Sequence, residues 1–255
     1  MDANGSGGTV KTALTTFEIL QALKRRNGAT VADLTEEFDL SNSSIHNYLR
    51  TLQREGYVVK EDTEYRVGLR LLDLGGFARR NRRIYHVARA EVTTLAEDTG
   101  EMANLLVEEK GMGVYLHRAH GEHAVKTDSY VGHRVHLHNT ALGKAILAHL
   151  PDARTDEIVE QHGLPQTTPN TVTTRERLRE DLQQVRDKGV AFDDEERVQG
   201  LRCVAVPIVN NDDEVEGAVS VSGPTTRLQG DRFTEAVPTK LESVANIIEL
   251  NITYR

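Results

Sequence analysis

The sequence predicts an α+β protein in two parts: an N-terminal winged helix-turn-helix and a C-terminal antiparallel sheet flanked by helices. Three observations carry this. The apolar periodicity of residues 30–67 runs helix, turn, helix, hairpin. Beyond residue 100, short β-prone runs joined by polar turns alternate with amphipathic helices. The charge also changes sign along the chain. Residues 1–90 hold 14 Lys+Arg against 11 Asp+Glu, a balance of +3, and residues 91–255 hold 17 against 28, a balance of −11.

The first helix is expected over residues 10–26, with Leu14, Phe17, Leu20 and Leu23 facing its neighbours. A short helix over 31–38 follows Thr30, whose hydroxyl can cap the first turn while Asp33 favours the positive helix end. Ser41 opens the next helix, in which Ile45, Leu49 and Leu52 make one apolar stripe and Gly56 is the stop. Residues 57–60 and 65–67 form a hairpin around Asp62-Thr63. This order is that of a protein that lays its second helix in a DNA major groove.

The outward face of that helix bears Asn42, Ser43, Ser44, His46, Asn47, Arg50 and Arg54, with no acid from Ser41 to Arg54. Asn pairs bidentately with adenine, Arg with guanine, and Ser or His with phosphate or base edges. A helix built only for solvent usually carries Glu and Lys. The expected DNA contacts are therefore Asn42, Ser43, Ser44, His46, Asn47 and Arg50, with Lys60 and Arg66 from the hairpin. The blander alternative is a small helical module that binds protein.

Residues 1–68 are assigned to this module, its first nine a disordered Gly-rich tail, and residues 69–83 to a linker helix. Within the linker Gly75-Gly76 offers a hinge. The cluster Arg79-Arg80-Asn81-Arg82-Arg83 is either a solvated linker or a second phosphate contact. Residues 84–255 form the second domain. Its helices are expected at 85–99, 141–149, 152–161, 174–188 and 231–251. Its strands are expected at 103–108, 114–118, 124–130, 190–192, 203–209 and 216–221.

Composition narrows the class. With 38% hydrophobic and 27% charged residues the chain is a soluble globular protein, and no apolar run approaches a membrane span. The start MDANGSGGTVK is polar and unlike a signal peptide. A lone cysteine, Cys203, excludes an internal disulfide and a Cys-rich zinc finger. A cytoplasmic location is expected. The acidic remainder, with 8 Lys against 23 Arg, fits a halophile's high-salt cytoplasm or a GC-rich genome.

Four strings then resemble the IclR family of transcriptional regulators, over nearly the whole chain. NSSIHNYLRTLQREGYVVKEDTEYRVGLRLLDLG resembles the recognition helix, wing and linker start. LHNTALGKAILAHLP, GVAFDDEERVQGLRCVAVPIVN and GAVSVSGPTTRL resemble strings of the effector-binding domain. The resemblance implies a GAF-like second domain and dimers or tetramers on a palindromic operator. It also implies a small organic acid, sugar or aromatic metabolite as effector. Members commonly carry Pro-Lys or Pro-Arg where this chain has Ser41 and Asn42, and Arg where it has Asn47. Phosphate affinity then falls to Arg50, Lys60 and the 79–83 cluster.

Carried over residue by residue, the family's pocket consists of Thr140, Ala141, Asp193, Leu201, Cys203, Ser220 and Ser222. The chemistry suits a carboxylate: alternating Ser220 and Ser222 share one strand face, and a helix start near Thr140 attracts anions. Asp193 can accept a ligand hydroxyl. Alone, these residues would read as a small core thiol and solvated hydroxyls.

Two other constellations are weaker. Six of the ten histidines fall between His117 and His138, and His136 and His138 alternate as on a strand. No cysteine or acid completes a zinc motif, so no metal and no cofactor are expected. Cys203 with an upstream Asp superficially suggests Cys-His-Asp catalysis. No sequence feature places a base beside the thiol or a Gly-rich turn after it, and no enzyme is expected. The expected function is a sequence-specific, metabolite-controlled DNA-binding regulator. The alternative is a metabolite- or metal-sensing protein that acts through protein contacts with a degenerate helix-turn-helix.

Overall fold

A computed structural model describes residues 8–254, so all but the last two positions of the expected 1–9 tail lie outside the described residues. The chain divides between Ala78 and Arg79 into two compact units.

The first unit contains α1 (Lys11–Arg26), α2 (Val31–Glu37), α3 (Asn42–Arg54) and the hairpin β1 (Val58–Glu61) and β2 (Glu64–Val67). Thr30 and Asp33 cap α2 reciprocally: the Asp33 amide donates to the Thr30 hydroxyl at 3.2 Å and the Thr30 amide to the Asp33 carboxylate at 2.8 Å. The core consists of Ile19, Leu23, Leu34, Ile45, Leu49, Leu52, Val58 and Tyr65 among its larger members. Each such side chain contributes about 1.5–3 kcal/mol by leaving water. The hairpin turns at Asp62, whose φ of 53° is one that Asp tolerates.

The expected buried face of α1 is corrected. Thr15, Ile19, Ala22 and Leu23 are buried, whereas Leu14 and Phe17 are 46% and 65% exposed. A spacing of three falls about 60° short of a full turn, so the three steps from Leu14 to Leu23 carry the stripe to the opposite side of the helix.

Helix α4 (Arg70–Arg80) also differs from expectation. It is unbroken through Gly75-Gly76, and the chain leaves the helix at Asn81 and Arg82 before α5 (Arg83–Thr99). Two glycines weaken a helix by about 1 kcal/mol each without ending it. Neither has a positive φ here.

The second unit is built on six antiparallel strands in the order β5-β4-β3-β8-β7-β6. These are β3 (Met102–Glu109), β4 (Met112–His120), β5 (Arg134–His136), β6 (Ala191–Asp194), β7 (Leu201–Val209) and β8 (Val215–Pro224). The helices are α6 (Ala141–His149), α7 (Asp152–His162), α8 (Arg175–Lys188) and α9 (Val237–Tyr254). One face of the sheet, with Ala103, Leu105, Val204, Val206, Val219 and Val221, packs on α5 and α9. The other, with Leu106, Cys203, Ala205 and Ala218, packs on α6, which α8 backs.

The strand expected at 124–130 is absent; that segment is irregular, and the third rung beside β4 is the short β5. The run AVKTDSY is too polar to bury one face, and its polar groups bind arginine side chains instead of a ladder. Only His136 of the expected His136/His138 pair lies in a strand.

Gly143 lets the chain that enters α6 fold back on the helix's first turn: an added Cβ would collide with the Leu137 backbone. Gly143→Ala is therefore expected to destabilise the second unit by about 1–3 kcal/mol, as overpacking does. Urea unfolding followed by a probe in that unit measures it.

Candidate nucleic-acid interface and effector site

Helix α3 presents Asn42, Ser43, His46, Asn47 and Arg50 to solvent, with Ser44 half-buried. Ser41 caps the helix by accepting the Ser44 amide at 3.3 Å. Two side chains on this face are already oriented. Asn42 Oδ1 accepts the Thr35 hydroxyl at 2.7 Å, and Arg50 Nη2 donates to Asn47 Oδ1 at 3.3 Å. On the hairpin, Lys60 is exposed, its ammonium 5.4 Å from the Tyr65 ring centre. Arg66 is tied to Glu64 at 2.8 Å and Glu61 at 3.1 Å. Its charge is therefore largely spent within the hairpin, unlike that of Lys60.

In the second unit the strand register gathers polar side chains onto the α6 face. Asn104 stands opposite Arg118 on β4 and Ser220 on β8; Ser222 stands opposite Cys203, and Cys203 opposite Asp193. Asn104 Nδ2 donates to Ser220 Oγ and Ser222 Oγ, each at 3.1 Å. Ser222 donates to Cys203 Sγ at 3.3 Å, and Arg118 Nε donates to Asn104 Oδ1 at 2.9 Å. Asn104, Ser220, Ser222, Cys203 and Asp193 are all buried.

Thr140 is also buried and caps α6 by accepting the Gly143 amide at 3.0 Å; Ala141 follows it, fully buried. Leu201, at the start of β7, is half-buried. The register thus places Asp193, Cys203, Ser220 and Ser222 in one patch.

Burial sets the protonation of this patch. Burial, and then the neighbouring Glu196 carboxylate, push Asp193 up to about 7. Its Oδ1 accepts the Glu196 amide at 2.7 Å, closing the turn after β6. Burial pushes the Cys203 thiol up to about 12, so it serves as a weak hydrogen-bonding group and not as a thiolate. Lys144 on α6, itself buried, pairs with Glu196 and lies 3.7 Å from Asp181.

Sequence reasoning missed Asn104, Arg118, Arg197 and Lys144. The signal for Asn104 was a lone amide in the apolar run MANLLV, but its partners lie on two other strands.

The histidine rings do approach one another, His136 standing 5.7 Å from His138 and 6.4 Å from His162 between ring centres. Burial pushes His138 down to about 4, and no group of residues suited to a metal occurs among the described residues. No described helix is long and apolar enough to cross a membrane.

A winged helix-turn-helix joined to a sheet with a polar floor defines a class, that of DNA-binding proteins with a ligand-sensing domain. Comparison with known proteins gives the family. The model "Bacterial transcriptional regulator IclR C-terminal" matches residues 77–249, and the "IclR helix-turn-helix domain" matches residues 14–62. A relative from Halobacterium salinarum, a probable HTH-type transcriptional regulator ArcR, is 36% identical over 98% of this chain and 96% of its own.

The crystal structure of the Thermotoga maritima IclR matches with a TM-score of 0.78 at 31% identity, covering 95% of this chain and 99% of that one. An IclR homologue from Microbacterium hydrocarbonoxydans, complexed with 4-hydroxybenzoate, matches with a TM-score of 0.74 at 26% identity. It covers 88% of this chain and 91% of that one. The chain belongs to the IclR family of DNA-binding transcriptional regulators, with a C-terminal effector-binding domain.

The raised Asp193 carboxyl makes stability depend on pH. A carboxyl raised from 3.8 to about 7 binds its proton more tightly when folded, so its contribution is full below 3.8 and is lost as pH rises through 7. Asp193→Asn is expected to flatten that decline. Thermal melts of wild type and variant across this window check it; parallel curves would contradict it.

Proposed function

We propose that the protein is a sequence-specific regulator that binds a palindromic operator as a homo-oligomer, dimer or tetramer, in the cytoplasm. A small metabolite bound in the second unit sets its operator affinity. The observation that carries the DNA-reading half is the exposed, acid-free face of α3, where Asn42, Ser43, Ser44, His46, Asn47 and Arg50 hold donors and acceptors suited to base edges and phosphates. Lys60 supplies phosphate affinity from the hairpin. Arg66 contributes less, because Glu61 and Glu64 already compensate it.

The effector half rests on Cys203, Ser220, Ser222 and Asp193 at the sheet floor, with Thr140, Ala141 and Leu201 assigned to the same pocket. Support comes from the relative whose structure holds 4-hydroxybenzoate. The ligand classes we assign are organic acids, sugars and aromatic metabolites.

Selection from random DNA is expected to return an enriched palindromic motif; no motif at any salt concentration would overturn the reading. Arg50→Ala should cost about 1–3 kcal/mol of operator binding and relax one position of the motif. Lys60→Ala should weaken all sequences alike and lower the salt slope by about 1. Gel-shift titrations over a salt series separate the two effects.

Oligomerisation is supported by large apolar side chains left exposed in the first unit, among them Leu14 and Phe17 on α1 and Leu72 and Phe77 on α4. Two copies of α3 are also what a palindrome requires. Phe17→Glu is expected to shift sedimentation equilibrium toward the monomer and to weaken operator binding, with the unfolding transition retained. An unchanged mass would place the contact elsewhere.

A further inference from the structure

Arg118 is half-buried, and each of its hydrogen-bond partners is neutral. Nε donates to Asn104 Oδ1 at 2.9 Å, Nη1 to the Ser129 carbonyl, and Nη2 to Thr127 Oγ1 at 2.8 Å and Met102 Sδ at 3.2 Å. Its guanidinium also lies 5.4 Å from the centre of the buried Tyr115 ring. A partly desolvated cation whose direct partners are all neutral is costly to hold.

A second guanidinium stands beside it. Arg197, after β6, donates to Ser129 Oγ at 2.9 Å and to both Asp128 oxygens, at 3.1 and 3.2 Å. Burial, foremost, pushes Arg118 below its ordinary value; repulsion from Arg197 adds to this, whereas Tyr115 and Asp128 oppose it. The carboxylate near both cations is Asp128, in the irregular segment 124–130 that joins β4 to β5; it pairs directly with Arg197 and acts on Arg118 only through its charge. That carboxylate is 67% exposed, the poorest placed of the three groups.

We infer that Arg118 and Arg197 determine the effector's class, selecting a ligand with a carboxylate, and that Asp128 occupies the place of that carboxylate until the ligand arrives. The inference rests on the assignment of the effector to the Cys203–Ser222 floor, to which Arg118 is joined through Asn104.

An entering carboxylate accepts paired N–H bonds from the two guanidiniums, the geometry at which Arg excels. Asp128 then returns to water, a small loss for an exposed side chain. Thr127 and Ser129 give up their bonds to Arg118 in the same event, so segment 124–130 loses its anchors as the ligand gains them. A neutral ligand of equal shape displaces the Asp128 carboxylate without replacing its charge and is rejected.

Thermal-shift titrations of the full chain test this with 4-hydroxybenzoate, succinate and pyruvate, each beside its neutral amide, since a ligand of the folded state raises Tm. The acids are expected to protect and the amides not. Arg197→Gln should weaken acid binding about tenfold or more, with Arg197→Lys intermediate. Asp128→Asn should strengthen it about threefold, the scale of an exposed ion pair.

Equal protection by acids and amides would leave the pocket standing and overturn the carboxylate assignment. Acid binding unchanged in Arg197→Gln would do the same. Unchanged binding in Asp128→Asn would overturn the role of Asp128. If no acid or amide protects wild type or Asp128→Asn, the inference and the assigned pocket fall together. Hydrogen exchange over residues 124–130 adds a readout independent of ligand, expected to quicken in Asp128→Asn; unchanged exchange there would also count against Asp128 as an anchor.

Discussion

The amide of Asn104 is the constraint on which the second unit turns. It is buried, and it satisfies all it can: both N–H groups reach the serines of β8, and the oxygen takes the Arg118 donor. A buried amide without such partners costs several kcal/mol, so the register that sets Asn104 opposite Ser220 is strongly favoured. A slip of one residue would turn Asn104 toward the apolar face that packs on α5 and α9 and bring Ala103 or Leu105 to the floor. One side chain therefore holds three strands to a single alignment.

The wall opposite the floor is held by different means. Helix α6 packs on β7 and β8, and the core they share includes the small residues Ala141, Ala145, Ala205 and Ala218, which allow a close approach. Thr140 caps its start, and its Lys144 is buried, which would be prohibitive without Glu196 and Asp181. Those acids come from the turn after β6 and from α8, so one ammonium ties α6 to both. Asp193 closes the same turn through a backbone amide. The chemistry of the site and the cohesion of its walls draw on the same residues.

The sequence made the fold legible where its signals were local. The α3 stripe of Ile45, Leu49 and Leu52, the Thr30–Asp33 cap and the polar hairpin turns all depend on neighbours within a few residues. The buried face of α1 is not legible in this way, because a spacing of three imitates helical periodicity over one turn and departs from it over three. The 124–130 segment has the local tendency of a strand, but two arginines, from β4 and from the turn after β6, take up its polar groups, and neither is near it in sequence. Resemblance pointed to Cys203, Ser220, Ser222 and Asp193, which the strand register brings to one face. It offered nothing on Asn104 or the arginine pair, which exist as a unit only once three strands and a loop are assembled.

Charge is distributed very unevenly, with a balance of +3 in the first ninety residues and −11 in the remainder. The positive surplus does not belong to the first unit: Met1–Ala78 holds 9 Lys+Arg against 11 Asp+Glu, a balance of −2, and the cations that turn the sign are Arg79, Arg80, Arg82, Arg83 and Arg89 at the start of the second unit. Encounters that bring acidic surface against the phosphates are short-lived, while those led by a local cluster of cations such as the 79–83 run persist long enough for base edges to be tried. Orientation is thereby sorted during diffusion, before any side chain touches a base. The sorting has a range of one screening length, about 10 Å at 0.1 M salt and about 3 Å at 1 M. In concentrated salt the molecule must find its orientation by collision alone.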